Sequence, residues 1–248
     1  MGKTQKAIEK AEKENKVSFL FKNTENFDPE DIAPVIPVEV PEKVRSYDTL
    51  KTNLLVRASR TQPKSIMFTS LSQGGGCSTT ATQFAVNVAR NSDLKILLAD
   101  VNFRTPNIHH TFNLSECRGL SDFIHDIDRV NDGTVKVGPG NLFVLPVGNN
   151  RYKSASFLET KQFTVFIQTL RTHFDYIVLD APPASLFPET LVFSGVVDGV
   201  VLIIDAGKVR KQVALKTKNE IINAGGKIIG IVLNKRKYYI PDWIYKRI

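Results

Sequence analysis

Residues 74 to 79 read Gly-Gly-Gly-Cys-Ser-Thr, between a short apolar run from Ile66 to Ser70 and a stretch of helical character from Ser78 to Ala89. Three glycines at the mouth of a helix suit an anion. Without Cβ atoms the backbone can bring its N–H groups close to a phosphate, and the helix N-terminus adds unsatisfied donors and the positive end of its dipole. Loops of this design normally place a lysine after the last glycine for phosphate charge, then a Ser or Thr for magnesium. Here Gly74, Gly75 and Gly76 are followed by Cys77, then Ser78 and Thr79. The expected chemistry is binding of ATP or ADP with magnesium on Ser78, through a cradle that has lost its ammonium. A hydrogen bond to a charged group contributes about 1.5–3 kcal/mol, so binding should weaken roughly 10- to 150-fold. Phosphoryl transfer rests on positioning and charge stabilisation, so the rate should suffer more than binding. Arg104, Lys208 or a residue of a neighbouring subunit are candidates to replace the charge. Two blander readings stand beside this one: a tight glycine turn without a ligand, and a Cys77 that has simply drifted from lysine. A thiol at a helix N-terminus also suggests a lowered pKa and redox sensitivity.

These groups need a scaffold. Apolar runs near 65–70, 95–100, 142–147, 175–180, 198–204 and 227–233 alternate with helical stretches, and the runs lack the in–out alternation of a half-exposed strand. The pattern predicts a three-layer α/β domain with a mostly parallel central sheet flanked by helices. Ligands in such sheets lie beyond the carboxyl ends of the strands, where the loop after residue 70, Asp100 and Asp180 all fall. Arg45 to about Ser59 has apolar Tyr47, Leu50, Leu54 and Val56 near helical spacing, which predicts a helix before the first strand. Residues 1–44 divide into a charged helical leader, to about residue 16, and a linker in which Pro29, Pro34, Pro37 and Pro41 argue against a regular element. The expected organisation is leader and linker (1–44), α/β domain (45–234) and a basic, aromatic tail (235–248).

Several of these segments carry a resemblance. Ile96 to Pro106 ends an apolar strand in Asp100-Val101-Asn102-Phe103-Arg104-Thr105-Pro106, similar to the Asp-x-Asp-x-Arg-x-Pro motif of bacterial tyrosine kinases except at Asn102. Tyr176 to Pro183 resembles their Walker B strand, with Asp180 in place. Leu142 to Gly148 resembles their Leu-Pro-x-Gly strand, and Lys227 to Asn234 their last strand. The chain, over about residues 45–240, is thereby identified as a member of the cytoplasmic tyrosine autokinases of capsule and exopolysaccharide synthesis, relatives of partitioning and division-site ATPases. The resemblance implies a nucleotide site built from Gly74, Gly75, Gly76, Cys77, Ser78, Thr79, Asn102, Arg104 and Asn234. It implies magnesium on Ser78 and Asp180, and Asp100 acting on the attacking hydroxyl in an active relative. The family's Glu-x-x-Arg-x-x-Arg assembly motif corresponds to Arg45, Asp48 and Lys51 here, with the first two charges reversed. Pairing with an active relative becomes attractive beside a homo-oligomer. Tyr238, Tyr239 and Tyr245 stand where active relatives carry their phospho-acceptor tyrosines.

Composition narrows the setting. With 42% hydrophobic residues the chain can bury a core, and no stretch reaches the roughly 20 apolar residues of a membrane span. Two cysteines, Cys77 and Cys117, make no disulfide framework, so a cytoplasmic location is expected. The net charge of +8 suits an acidic partner such as lipid headgroups or nucleotide. Trp243, Ile244 and Tyr245 among Lys and Arg suit contact with the inner face of the membrane, as well as packing on the domain or phosphorylation. The expected function is that of a degenerate tyrosine-kinase homologue, an accessory or regulator of exopolysaccharide synthesis beside a membrane-embedded chain-length or export protein. An active autokinase or ATPase is the alternative. A partitioning-type ATPase is the weaker one, and nucleic acid is not an expected partner.

Overall fold

The computed structural model describes residues 35–37, 50, 52, 54, 63–114, 117–137, 140–149 and 160–235. Among the described residues eight strands form one sheet: β1 (Val35–Pro37), β2 (Ser65–Ser70), β3 (Ile96–Asp100), β4 (Val135–Lys136), β5 (Leu142–Leu145), β6 (Tyr176–Asp180), β7 (Gly199–Asp205) and β8 (Ile228–Asn234). Their order across the sheet is β1-β8-β7-β2-β6-β3-β5-β4. Every pairing is parallel except β4 with β5. The predicted α/β architecture is therefore present. β2, β3, β6 and β7 are buried along their whole length, as strands covered on both faces must be.

Two helical faces cover the sheet. α1 (Cys77–Arg90) turns Ala81, Phe84, Ala85 and Val88 inward at i, i+3, i+4, i+7 spacing. They pack with Leu50 and Leu54 on Ile66, Phe68, Leu98, Val178 and Val201. Leu50, Thr52 and Leu54 are helical, where a helix before the first strand was expected. On the opposite face α3 (Thr160–His173) uses the same spacing for Phe163, Phe166, Ile167 and Leu170. With α4 (Pro188–Ser194) and α5 (Lys211–Asn223) it covers Met67, Leu97, Ile177, Leu179 and Leu202. A short helix, α2 (Ile108–Thr111), follows the β3 loop.

Two edge strands depart from the expectation. Val35–Pro37 lies in the segment read as a linker, yet it pairs in parallel with β8. An edge strand needs only one hydrogen-bonded side, so the N–H that Pro37 lacks is tolerated there. β4 has two residues, too few for a periodic signal. At the end of β2 opposite the glycine loop, Asp198 Oδ2 accepts hydrogen bonds from Lys64 N (2.9 Å), Ser65 N (2.8 Å) and Ser65 Oγ (2.9 Å). Arg171 reaches its Oδ1 at 2.7 Å. This clamp sets where the central strand begins, and hence where it delivers the loop.

Phe163 is fully buried and stacks on Phe193 at 4.1 Å between ring centroids, joining α3 to α4. Phe163→Ala should lower unfolding stability by about 3–5 kcal/mol in urea titrations. A loss below about 1 kcal/mol would show that this face does not hold the helices as described.

Candidate functional site

The loop Leu71 to Gly76 leaves the end of β2 and delivers the chain into α1. Gly74 and Gly76 have φ of 71° and 90°, in the left-handed region that glycine adopts without a Cβ penalty. Asn234, at the end of β8, donates from Nδ2 to Gly75 O at 2.9 Å. A Cβ on Gly76 would lie 2.1 Å from that nitrogen, so the side of the loop facing β8 has no room for one. Gly75 N closes a turn on Ser72 O at 3.1 Å, and Ser185 Oγ holds Leu71 O at 2.7 Å. Among the described residues no side chain caps the N-terminus of α1, and its first turn carries no acid. The loop is thus a concave set of backbone groups at a helix N-terminus, the geometry that receives an anion.

Beneath it lie two acids. β3 and β6 pair so that Asp100 stands directly beside Asp180, and both are fully buried. Asp100 serves its own loop: Oδ1 accepts from Asn102 N (3.0 Å), Oδ2 from Asn107 N (3.1 Å) and Ile108 N (3.2 Å). Burial, and after it the Asp180 charge, push its carboxyl well above the usual range, against the pull of these three amides. Asp180 has no such support. Neither of its oxygens has a hydrogen-bond partner of good geometry among the described residues. Burial raises it to about 6, although the Ser78 hydroxyl and Cys77 thiol lie near enough to favour its ionised form.

A buried carboxylate without partners calls for a proton or a cation. The Ser78 hydroxyl and Asp180 carboxylate are hard oxygen donors and fit magnesium, which is held by one or two protein ligands together with phosphate oxygens and water. Bound there, the ion would neutralise phosphate charge. The described residues contain no group of three or more His, Cys, Asp or Glu that could hold a metal alone.

The remaining expected residues divide. Cys77 points into the protein, its Sγ 3.7 Å from Ala181 O. Burial first, then Asp180 and Asp100, raise its pKa, so the expectation of an activated, redox-sensitive thiol is corrected: this thiol stays neutral. Asn102 shapes the β3 loop, with Oδ1 accepting from Thr105 N at 3.1 Å and Nδ2 donating to Thr105 Oγ1 at 3.2 Å. Arg104 turns to the start of α4, pairing with Glu189 at 2.9 Å and lying over the Phe187 ring. Thr79 and Lys208 are exposed. Arg45, Asp48, Lys51, Tyr238, Tyr239 and Tyr245 lie outside the described residues. Two groups that sequence reasoning missed stand at the loop. Lys235 Nζ reaches Gly74 O at 2.5 Å and Asp205 Oδ2 at 3.5 Å, Asp205 being the last residue of β7. Thr69 Oγ1 donates to Pro182 O at 2.7 Å and accepts from Ala184 N at 3.0 Å, binding β2 to the loop after Asp180.

The raised Asp180 value has a definite sign. The native state holds this proton more tightly than the unfolded chain, so the contribution is complete below about pH 4 and is lost as pH rises through about 6. In metal-free buffer, the protein should lose stability relative to Asp180→Asn between these limits, by about 1.4 kcal/mol for each pH unit crossed. Parallel pH–stability curves for the two proteins would refute it. Gly76→Ala should cost about 1 kcal/mol or more from its positive φ alone, and thermal melts would register it.

No family model matches the chain. The chain is 30% identical over 206 residues to a putative tyrosine-protein kinase, CapB of Staphylococcus aureus, covering 81% of this chain and 90% of that one. Among solved structures, the chimerical protein CapA2B2 superposes with a TM-score of 0.75 at 23% identity, over 84% of this chain and 97% of that chain. The septum site-determining protein MinD of Pyrococcus horikoshii, solved with Mg-ADP, superposes at 0.60 and 17% identity, covering 74% and 76%. These two likenesses concern the fold, a phosphate-loop α/β domain. The CapB relationship, by its identity and its coverage of both chains, concerns descent, and the chain belongs to the bacterial tyrosine-kinase family of capsule and exopolysaccharide synthesis.

Proposed function

We propose that this member binds nucleotide weakly, has lost phosphoryl transfer, and acts as a cytoplasmic accessory of exopolysaccharide assembly and export. Its partner would be a membrane-embedded chain-length or export protein, with an active relative as a second possible companion. The observation that carries the reading is Cys77. At the position where the loop pattern wants an ammonium, the chain has a neutral thiol buried against Ala181 O. Directly below, Asp100 and Asp180 would repel phosphates wherever they are ionised. Backbone donors and a magnesium ion on Ser78 and Asp180 can still hold ATP or ADP. Transfer additionally requires charge stabilisation at the reacting phosphate, and position 77 supplies none.

Asp100 adds to the argument. A general base must reach the proton that it takes, whereas both oxygens of Asp100 are engaged by backbone amides of the β3 loop. The family pathway and the membrane partner rest on kinship with capsule-locus kinases.

Two readouts test this. Incubated with Mg-ATP, the protein should show no phosphotyrosine and no hydrolysis above a buffer control, while Cys77→Lys should bind ADP about 10- to 150-fold more tightly. Phosphate on Tyr238, Tyr239 or Tyr245 that vanishes in Asp180→Asn would overturn the accessory reading in favour of an active autokinase. Co-sedimentation with DNA would instead favour a partitioning-type ATPase.

A further inference from the structure

The end of β8 meets the glycine loop twice. Asn234 Nδ2 donates to Gly75 O at 2.9 Å, and Lys235 Nζ, from the next residue, to Gly74 O at 2.5 Å. Lys235 takes a left-handed backbone, φ 56°, held by its N–H donating to Asn234 Oδ1 at 2.9 Å. That conformation is uncommon for a residue other than glycine, asparagine or aspartate, and persists where the surroundings enforce it. Its effect is to turn the lysine stem back over the loop instead of onward along the strand direction. The ammonium then lies between the loop carbonyl and Asp205, with its side chain about half exposed at 52%. A four-carbon stem on a partly exposed residue can shift its head by several ångströms at little cost.

We propose that Lys235 supplies, from the far end of the domain, the phosphate-binding positive charge that position 77 lacks, its ammonium moving from the Gly74 carbonyl and Asp205 onto the phosphates of a bound nucleotide. Three features support it. The ammonium is already at the loop, so no rearrangement of the fold is required. Its two present partners, a carbonyl and one carboxylate oxygen at 3.5 Å, leave part of its three-donor capacity for a ligand. Asp180, buried and without a hydrogen-bond partner on either oxygen among the described residues, favours the neighbourhood of the same loop as a place to receive a cation-bearing ligand such as a magnesium nucleotide. Of the two candidates that the sequence suggested within the chain, Arg104 is engaged with Glu189 and Phe187 at the start of α4, and Lys208 is exposed in the turn after β7.

The inference rests on the reading that the loop still takes nucleotide, and it is tested by binding rather than turnover. Fluorescent ADP with magnesium would be titrated into the full chain, into Lys235→Gln and Lys235→Arg, and into the same changes on a Cys77→Lys background, with adenosine as the competitor lacking phosphate. Gln keeps a donor for Gly74 O but removes the charge. Lys235→Gln should weaken ADP binding about 10-fold or more, leave adenosine competition unchanged, and be largely rescued by Arg. On the Cys77→Lys background the same change should cost less than about 3-fold, because the charge is then supplied twice. An undiminished loss on that background would make Lys235 a loop brace and overturn the proposal. So would unchanged ADP affinity in Lys235→Gln, which would leave the proposed function intact, or no binding by the unaltered chain at millimolar ADP, which would remove its weak nucleotide binding and leave the accessory role. Autophosphorylation would defeat the accessory reading and leave the affinity comparison standing.

Discussion

Asp180 is a fully buried carboxyl at the end of a central strand, and neither of its oxygens has a hydrogen-bond partner of good geometry among the described residues. Parallel pairing puts it level with Asp100 on the next strand. Two ionised carboxylates so placed, out of water, are each costly, and proximity adds to the cost. The protein treats them unequally. Asp100 receives three backbone N–H groups and in return fixes the loop from Asn102 to Ile108. Asp180 receives none and stays available. The division makes one acid structural and keeps the other for a ligand, and the loops above are arranged around it.

Those loops are tied from every side. Ser185 holds Leu71, Thr69 holds Pro182 and Ala184, Asn234 holds Gly75 and Lys235 holds Gly74. Glycine costs conformational entropy on ordering, so a loop of three glycines needs such ties to keep one shape without a ligand. β2, the strand that presents the loop, is secured at its far end by Asp198 and Arg171. A pre-shaped anion cradle thus follows from side-chain hydrogen bonds distributed over β2, the β6 loop and β8.

Much of this was legible in the chain. Apolar runs located β2, β3, β6, β7 and β8, because strands in the interior of a covered parallel sheet are rich in apolar residues on both faces. The glycine triplet and the strand-end acids pointed to one candidate site because parallel sheets gather such ends on one edge. The edge strands escaped, one because prolines argued against it and one because two residues carry no period. Lys235 escaped because it opens a run of basic residues, Lys235-Arg236-Lys237, whose composition suggests a surface tail. What distinguishes it is a left-handed turn after Asn234, a backbone feature that no residue type announces. The inward thiol of Cys77 was equally invisible, since position in a loop does not reveal on which side of it a side chain lies.

The departures from the family pattern are consistent with one another electrostatically. An ammonium at position 77 would favour the charged forms of both acids through its full charge; the neutral thiol offers Asp180 only a weak donor, and in turn is kept neutral by burial and by the two acids. With the cation gone, a third carboxylate at position 102 would add repulsion close to a site already burdened with two. Asn102 carries no charge, and its amide serves Thr105 through both of its atoms, so the β3 loop keeps its turn. Loss of one positive and one negative group leaves the formal charge of the site where the intact pattern would have had it, with the buried acids Asp100 and Asp180 retained. On the proposed reading, such a site would give up a charge that acts on a reacting phosphate and keep the buried charge that attracts a metal-bound one.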